Sequence, residues 1–250
     1  MSKLQYCEIL KTNINVTNMT DTLHYLDANL DALRGSYICV SNVHTTVLAY
    51  EDKAYRRVQN SAAMALPDGA PLSVYSRHAG FKDAQRVTGP DLMTELFQRA
   101  PQNGYRHFFY GSTPQTLEAM RVTLRREYPG VAIAGMYAPP FRPLTQEEDQ
   151  EVTALINEAR PDFVWVGLGA PKQEQWMYDH RDRLNAVAIG VGAGFDYLAG
   201  TIKRAPRIMQ MLCLEWLYRL LQDPRRLWKR YVTTNIKFLR YICRERRNRV

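Results

Sequence analysis

The sequence predicts an α/β fold, with a mostly parallel, Rossmann-like sheet flanked by helices and a C-terminal basic helical appendage. Short apolar runs alternate with helical patterns over residues 1–200, and this alternation is typical of parallel sheets with crossover helices. The apolar runs are nearly continuous, as in strands that are covered on both faces. Strand-like runs stop after Gly200, so residues 201–250 are expected to be helical.

Six apolar runs are expected to form the sheet: Tyr37–Val43, Ala62–Leu66, His107–Tyr110, Val131–Met136, Phe163–Gly167 and Ala186–Val191. The predicted helices of the body are Thr17–Leu33, Thr46–Asn60, Asp91–Arg99, Thr113–Glu127, Thr145–Ala159 and Gln173–Leu184. Thr145 and Glu148 have the spacing of a capping box. In the appendage we expect one helix over Arg207–Leu221 and a second from Pro224, each with an apolar stripe and a face rich in Arg and Lys.

Composition indicates one large domain with an appendage, in a chain of 250 residues that is 46% hydrophobic. Four cysteines are scattered without any CxxC pair, which argues against a disulfide framework or a zinc site and favours a reducing compartment. The N-terminal residues lack the apolar region of a signal peptide, and no stretch approaches the roughly 20 apolar residues of a membrane span. We therefore expect a cytoplasmic protein.

Charge is distributed unevenly along the chain. Residues 201–250 carry 14 Lys and Arg against 3 Asp and Glu, whereas residues 1–200 carry 19 against 22. This asymmetry indicates a polyanionic partner for the appendage: an anionic membrane, a nucleic acid or a phosphorylated ligand.

Polar residues directly after the predicted strands are the candidates for a site, because parallel α/β sheets bind ligands at the carboxyl ends of their strands. Asn42 lies at the end of the first predicted strand and either contacts sugar hydroxyls or caps the next helix. Asp68 lies in a loop stiffened by Pro67 and Pro71. Asp-Gly often only forms a turn, but a carboxylate at a strand end is also suited to act as a general base.

Three further loops carry charged or small residues. In RVTGPDLM, Arg86 either binds a phosphate or holds a carboxylate, and Thr88 or Asp91 caps a helix. GLGAPKQEQW offers small residues and Lys172 at a helix start, which favours phosphate. GVGAGFD lacks the spacing of a dinucleotide fingerprint, so its glycines serve either packing or a ligand. Asp-x-Asp is absent from the chain, so Lys172, Arg204 and backbone donors would have to neutralise a diphosphate.

Taken together, these loops resemble the WecG/TagA/CpsF family of bacterial glycosyltransferases. The matching segments run in order over most of the chain: SNVHTTVLA, LPDGAPLSV, RVTGPDLM, FFYGSTPQ, YPGVAIAGMYAPPF, PDFVWVGLGAPKQEQWM, GVGAGFDYLAGTIKRAP and LEWLYRLLQDPRRLWKRY. GLGAPKQE and the block from FDYLAGTIKRAP to EWLYRL are the most specific of them.

The resemblance implies an inverting, metal-independent enzyme that transfers a hexose of the N-acetylmannosamine type from a UDP-sugar to a polyprenyl-diphosphate-linked sugar. It implies Asp68 as general base with Asn42 beside it. The residues expected at the donor are Gly111, Tyr137, Gly169, Ala170, Pro171, Lys172, Gln173 and Asp196. Those expected at the acceptor and its diphosphate are Arg86, Arg204, Arg219, Arg226, Lys229 and Arg230.

The family also suggests a homo-oligomer held peripherally at the inner face of the cell membrane by the basic appendage. No cofactor and no metal are expected, and the UDP-sugar is a substrate. Nucleic-acid binding is the rival interpretation of the basic charge, and the expected partners do not include it. A nucleotide-dependent Rossmann-type oxidoreductase and a non-catalytic sugar-nucleotide binding protein are the alternative functions.

Overall fold

The computed structural model describes residues 4–211 and 214–248, except for the side chains of Arg207, Met211, Arg226, Arg230, Arg246 and Asn248. Its centre is a six-stranded sheet in the order β4-β3-β8-β7-β5-β6, with every neighbouring pair parallel. The strands are β3 (Tyr37–Ser41), β4 (Met64–Pro67), β5 (Arg106–Gly111), β6 (Ala132–Tyr137), β7 (Phe163–Gly167) and β8 (Val187–Gly190). The predicted α/β fold and all six predicted strands are confirmed.

An antiparallel hairpin of β1 (Tyr6–Ile9) and β2 (Thr12–Asn15) precedes the sheet. The Asn15 side chain accepts a hydrogen bond from the backbone N–H of Ala65 at 2.6 Å, which fixes the hairpin beside β4. This hairpin was not predicted, because its turn uses Leu10 and Lys11 at φ of 48° and 62°. Such turns normally carry Asn or Gly.

The body helices are α1 (Met19–Leu33), α2 (Val43–Glu51), α3 (Lys53–Asn60), α4 (Ala70–His78), α5 (Gly89–Gln98), α6 (Ala100–Asn103), α7 (Pro114–Glu127), α8 (Gln146–Glu158), α9 (Lys172–Asp179) and α10 (Gly194–Leu198). The capping box of Thr145 and Glu148 is confirmed. The prediction of one helix over Thr46–Asn60 is wrong. The chain leaves the helix at Asp52, whose carboxylate accepts from the N–H groups of Ala54 and Tyr55 and starts α3.

The core lies on both faces of the sheet, as the nearly continuous apolar strands predicted. Along β7, Val164 and Val166 are buried in one hydrophobic cluster, and Phe163 and Trp165 are buried in the other. Side chains of successive strand residues point to opposite faces. The sheet edge formed by the strand ends is therefore left as the place where polar side chains gather.

The appendage contains α11 (Arg207–Met211), α12 (Glu215–Gln222) and α13 (Pro224–Asn248). The start of α13 at Pro224 is confirmed. The prediction of one helix over Arg207–Leu221 is wrong: Leu214 has ψ of 10°, and its carbonyl accepts from the N–H groups of Leu217 and Tyr218, so α12 starts there as a separate helix. Within residues 4–211 and 214–248, no helix has both the length and the apolar character needed to cross a bilayer.

One face of α13 packs against α2 of the body. Leu227, Thr234, Phe238 and Ile242 are buried on this face. Glu51 at the end of α2 pairs with Lys237 at 2.8 Å and accepts a hydrogen bond from the Tyr241 hydroxyl at 2.6 Å. These contacts fix the appendage to the flank of β3, so that its first helices lie at the carboxyl edge of the sheet.

Candidate active site at the carboxyl edge of the sheet

Asp68 and Asn42 lie side by side at the ends of the neighbouring strands β4 and β3. The Asp68 backbone N–H donates to the carbonyl of Ser41 at 2.8 Å. A Cβ atom on Gly69 would lie 3.2 Å from the Cα of Asn42, so the Asp68–Gly69 turn rests directly on Asn42. Only a residue without a side chain fits this approach comfortably, which explains the Asp-Gly pair.

Asn42 caps α2, which confirms one of the two roles that the sequence allowed for it. Its Oδ1 accepts from the backbone N–H groups of His44 at 3.0 Å and Thr45 at 3.2 Å, and Thr45 completes a capping box. The cap fixes the orientation of the half-buried side chain. Its Nδ2 hydrogens are the part that can still donate to a substrate.

Arg86 links the Asp68 loop to the appendage. Its Nε donates to the Asp68 carbonyl oxygen at 2.5 Å, and its Nη2 lies 3.9 Å from Asp68 Oδ1. The same Nη2 pairs with Oε2 of Glu215 in α12 at 2.6 Å. The sequence left open whether Arg86 binds a phosphate or holds a carboxylate. In the structure Arg86 pairs with carboxylates.

Arg204 forms the second half of this cluster. Its Nη1 and Nη2 pair with the two carboxylate oxygens of Asp91 at 2.5 and 2.9 Å, and its Nε lies 3.8 Å from Oε1 of Glu215. Thr88 caps α5 by accepting from the Asp91 N–H at 3.1 Å. Two guanidinium groups and the carboxylates of Asp68, Asp91 and Glu215 therefore form one network, which we call the edge network.

The edge network gives its two aspartates different protonation behaviour. Desolvation raises the pKa of Asp68 to about 6, with Arg86 and Arg204 opposing the shift and Glu215 and Asp91 adding to it. Desolvation also acts on Asp91, but hydrogen bonds from Arg204 and Thr88 hold the pKa of that carboxyl below its usual range. A carboxyl poised near neutrality at a strand end is typical of a functional site.

Tyr197 of α10 borders the network and was not singled out from the sequence. Desolvation raises its pKa to about 12, with Arg219 opposing and Glu215 and Asp68 adding. The Arg219 guanidinium lies 5.7 Å from the Tyr197 ring centroid, which brings this predicted acceptor residue to the site. Among the described residues the buried Tyr197 hydroxyl has no hydrogen-bond partner.

Glu215 is the other residue that the sequence reasoning missed. Within the segment LEWLYRL, the family resemblance implied a role at the site only for Arg219. A signal was present, since Glu215 is one of only three acidic residues among the last 50.

The GAPKQE loop is tied to the glycine-rich loop after β8. Gln173 is buried; its Nε2 donates to Oε1 of Glu174 at 2.8 Å, and its Oε1 accepts from the N–H of Gly192 at 3.1 Å. Lys172 is exposed at the start of α9. Gly169 has φ of 77°, a conformation suited to glycine. The neighbouring Ala170 is half-buried, and Pro171 is exposed.

Gly111 and Tyr137 lie toward the other end of the same edge. A Cβ atom on Gly111 would come within 2.7 Å of the carbonyl carbon of Gly167, so this glycine allows β5 and β7 to end in contact. Tyr137 stacks on Tyr110 at 6.0 Å between ring centroids. Five inter-strand spacings separate β6 from β4, or roughly 24 Å. Tyr137 is therefore not brought together with Asp68.

The remaining predicted residues are placed as follows. Asp196 is half-buried in α10, and its backbone carbonyl accepts from the N–H of Thr201 at 3.0 Å. Lys229 is exposed on α13. Arg226 and Arg230 belong to the same helix, but their side chains lie outside the described part of the chain. Across residues 4–211 and 214–248 there is no group of three or more His, Cys, Asp and Glu that could hold a metal ion.

A cavity of about 480 Å³ lies away from this edge, between the β1–β2 hairpin and the start of β4. Three of the four amide side chains that line it already form hydrogen bonds within the fold, namely those of Asn15, Gln59 and Asn60. Asn60 accepts from the Asn13 N–H and donates to the carbonyl of Lys11, both at 3.0 Å. We therefore regard the edge network as the candidate active site.

A parallel sheet covered on both faces, with a carboxylate at its carboxyl edge, is the arrangement typical of α/β enzymes. The chain belongs to the glycosyl transferase WecG/TagA/CpsF family, whose model it matches over residues 7–250. It is therefore a glycosyltransferase, as the resemblance implied.

Three curated relatives share the same printed name, N-acetylglucosaminyldiphosphoundecaprenol N-acetyl-beta-D-mannosaminyltransferase. The Bacillus spizizenii protein is 34% identical over 88% of this chain and 87% of its own length. The Bacillus subtilis protein is 33% identical over 95% and 90%. The Staphylococcus aureus (strain MW2) protein is 31% identical over 87% and 82%.

Proposed function

We propose that this glycosyltransferase moves a hexose of the N-acetylmannosamine type from a UDP-sugar to a polyprenyl-diphosphate-linked sugar in cell-surface polysaccharide synthesis. The names of the relatives support both the acceptor and the hexose. The observation that carries the proposal is the position of Asp68 at the strand ends, with a pKa of about 6.

The proposed reaction is a single in-line displacement with Asp68 as general base. Asp68 takes the proton of an acceptor hydroxyl, and the hydroxyl oxygen forms a bond to the anomeric carbon from one face. The bond from that carbon to the UDP oxygen breaks on the opposite face, and UDP leaves with the electron pair. One displacement inverts the anomeric configuration. A carboxylate with a pKa of about 6 is ionised at neutral pH and accepts a proton better than an ordinary Asp.

The order of the predicted residues along the edge suggests how the donor lies. The transferred sugar belongs near Asp68 and Asn42, the diphosphate near the glycine-rich loops and Lys172, and the nucleoside toward Gly111 and Tyr137. An extended nucleotide sugar laid along strand ends meets these groups in that sequence. Ligand binding across the carboxyl ends is general for such sheets.

We propose that cationic side chains replace a metal in stabilising the leaving diphosphate. Lys172 is exposed at the start of α9, where backbone N–H groups favour anions. Arg86 and Arg204 already pair with carboxylates, so a diphosphate would have to exchange with those partners. Arg219, Arg226, Lys229 and Arg230 are proposed for the acceptor diphosphate.

Peripheral binding to the inner face of the cell membrane is part of the proposal. Trp228, Ile236 and Leu239 are 60–65% exposed on the face of α13 that does not pack on the body. Basic residues flank them, and each is worth about 1 kcal/mol near an anionic surface. We also expect self-association, which light scattering in detergent would test.

A panel of nucleotide sugars tests the donor, with UDP release measured against a short-chain polyprenyl-diphosphate-sugar acceptor. Transfer from a UDP-hexosamine that is unchanged by EDTA is the expected result. Donor binding without transfer to any acceptor would instead indicate a non-catalytic sugar-nucleotide protein, and dependence on added divalent metal would contradict the proposed charge neutralisation.

Asp68→Asn should lower kcat by at least a hundredfold, because general-base catalysis typically contributes 10²- to 10⁴-fold. Donor affinity, measured by calorimetry, should change little. Asp83→Asn is the matched control, since Asp83 is exposed on the loop after α4. Near-normal turnover in Asp68→Asn would remove this residue from the role of base.

A further inference from the structure

The appendage brings a carboxylate as well as arginines to the edge network. Glu215 is the first residue of α12, and 14% of its side chain is exposed. It pairs with Arg86 at 2.6 Å and lies 3.8 Å from Arg204, two arginines that also face Asp68 and Asp91. Placing a third acidic group here costs desolvation, which calls for a function.

The geometry of Arg86 shows what this carboxylate does. Arg86 Nη2 lies 2.6 Å from Glu215 but 3.9 Å from the nearest Asp68 oxygen. Its Nε is used by the backbone carbonyl of Asp68 at 2.5 Å. Glu215 thus holds the guanidinium on the backbone side of the Asp68 loop. Among the side chains that the structure describes, none forms an ionic contact with the Asp68 carboxylate closer than this 3.9 Å.

We propose that Glu215 is a positioning residue for the general base, through which docking of the appendage keeps Asp68 able to accept a proton. The inference rests on the proposed function, because it assigns Glu215 to the same reaction. Without Glu215, Arg86 is free to form a close pair with the Asp68 carboxylate, and an acid held in such a pair is a weaker base.

The charged groups that the structure describes around Asp68 all bear on its pKa. Arg86 and Arg204 lower its pKa, whereas Glu215 and Asp91 raise it, and burial raises it most. Tyr197, on α10, borders the same network. Asp91 has its own close partner in Arg204, at 2.5 Å. Removal of Glu215 therefore shifts the pKa of Asp68 downward by two routes, loss of a negative charge and release of Arg86.

The test compares Glu215→Gln with Glu51→Gln in the full-length chain. Glu51 also joins body and appendage, through an ion pair with Lys237 and a hydrogen bond from the Tyr241 hydroxyl, and it lies at the far end of α2. Both variants weaken the docking of the appendage. Only Glu215→Gln removes a negative charge from the surroundings of Asp68. The Asp68 carboxyl is titrated by carbon NMR, with Asp68→Asn used to assign its signal.

In Glu215→Gln the Asp68 midpoint should fall by about one pH unit, and it should stay in place in Glu51→Gln. The acid limb of the pH profile of kcat/KM should move to lower pH by the same amount. We expect kcat to be about tenfold lower and the donor KM to change less than about twofold. An unmoved midpoint in folded Glu215→Gln overturns the proposal, as does an equal shift in both variants.

A second variant keeps the test decisive if Glu215→Gln does not fold. In Glu215→Asp the shorter side chain places the carboxylate farther from Arg86, so the titration midpoint of Asp68 should fall by a smaller amount. An unchanged midpoint in this variant overturns the proposal. Because the NMR titration needs no turnover, it is separate from the donor assay. A shifted midpoint in a chain that transfers no sugar would refute the proposed function and leave the electrostatic link standing.

Discussion

At the scale of single residues, Asp68 combines a functional position with a stability cost. The fold raises its pKa from 3.8 to about 6, chiefly by desolvation. A raised carboxyl pKa stabilises the folded state only while the group is protonated, and the benefit is lost as pH rises between these two values. Active sites commonly retain such costs for the sake of activity.

Asp68→Asn should therefore be more stable than the parent chain above pH 6. The penalty for ionising Asp68 in the fold is about 3 kcal/mol at most, from two pKa units. For a chain of this size we expect a rise of several degrees in Tm. Thermal unfolding of both proteins from pH 4 to pH 8 checks this: the difference in Tm should grow up to about pH 6 and then level off. A difference independent of pH would contradict a raised pKa.

At the scale of elements, the strands were predictable because burial on both faces leaves a strong apolar signal. The hairpin was not, since its turn lacks glycine, and the break between α2 and α3 depends on one capping carboxylate, Asp52. The strand pattern predicted that Asn42 and Asp68 each lie at a strand end, and the family resemblance implied that they lie side by side. Glu215 could not be placed in this way, because its position depends on how the appendage docks onto the body.

Helix α13 has two apolar stripes of different character. The stripe through Leu227, Phe238 and Ile242 is buried against the body, and the one through Trp228, Ile236 and Leu239 is exposed. The exposed residues recur at helical spacing, so they share one face. A soluble helix needs only one apolar stripe, and the second therefore favours an interfacial role.

Ile236→Asn combined with Leu239→Asn should weaken binding to anionic vesicles by at least tenfold, because each apolar side chain that enters the bilayer contributes about 1.5–3 kcal/mol. Val122→Asn, at an equally exposed apolar position on α7, is the control. Co-sedimentation with vesicles over a salt series measures the effect. Unchanged binding in the double variant, or equal loss in the control, would argue against this face.

Tighter binding to duplex DNA than to vesicles would favour the nucleic-acid interpretation of the basic charge.

At the scale of the whole molecule, the site is assembled from distant parts of the chain. The body supplies Asp68, Arg86 and Asp91, and Arg204, Glu215 and Arg219 follow the last strand. The polar contacts of Glu51 with α13 lie at the other end of α2 from Asn42. Catalysis should therefore depend on packing far from the reacting atoms.

Phe238→Ala tests this dependence. Phe238 is 6% exposed in the cluster that contains α2, and truncation of such a residue typically costs 3–5 kcal/mol. Much of that loss is expected to appear as local release of the appendage rather than global unfolding, because a peripheral helix opens before the sheet. Release removes Glu215 and Arg219 from the site, so kcat/KM should fall severalfold even with a short-chain acceptor in detergent.

Trypsin provides the independent measure of release, since α13 is rich in Arg and Lys. Cleavage within α13 should be faster in Phe238→Ala, with the body left intact. Thr233→Ala is the matched control, because Thr233 is exposed on the same helix. It should leave both cleavage and turnover unchanged. Faster cleavage of Phe238→Ala with undiminished turnover would show that the body alone carries the reaction, and the appendage would then serve only to hold the enzyme at its substrate.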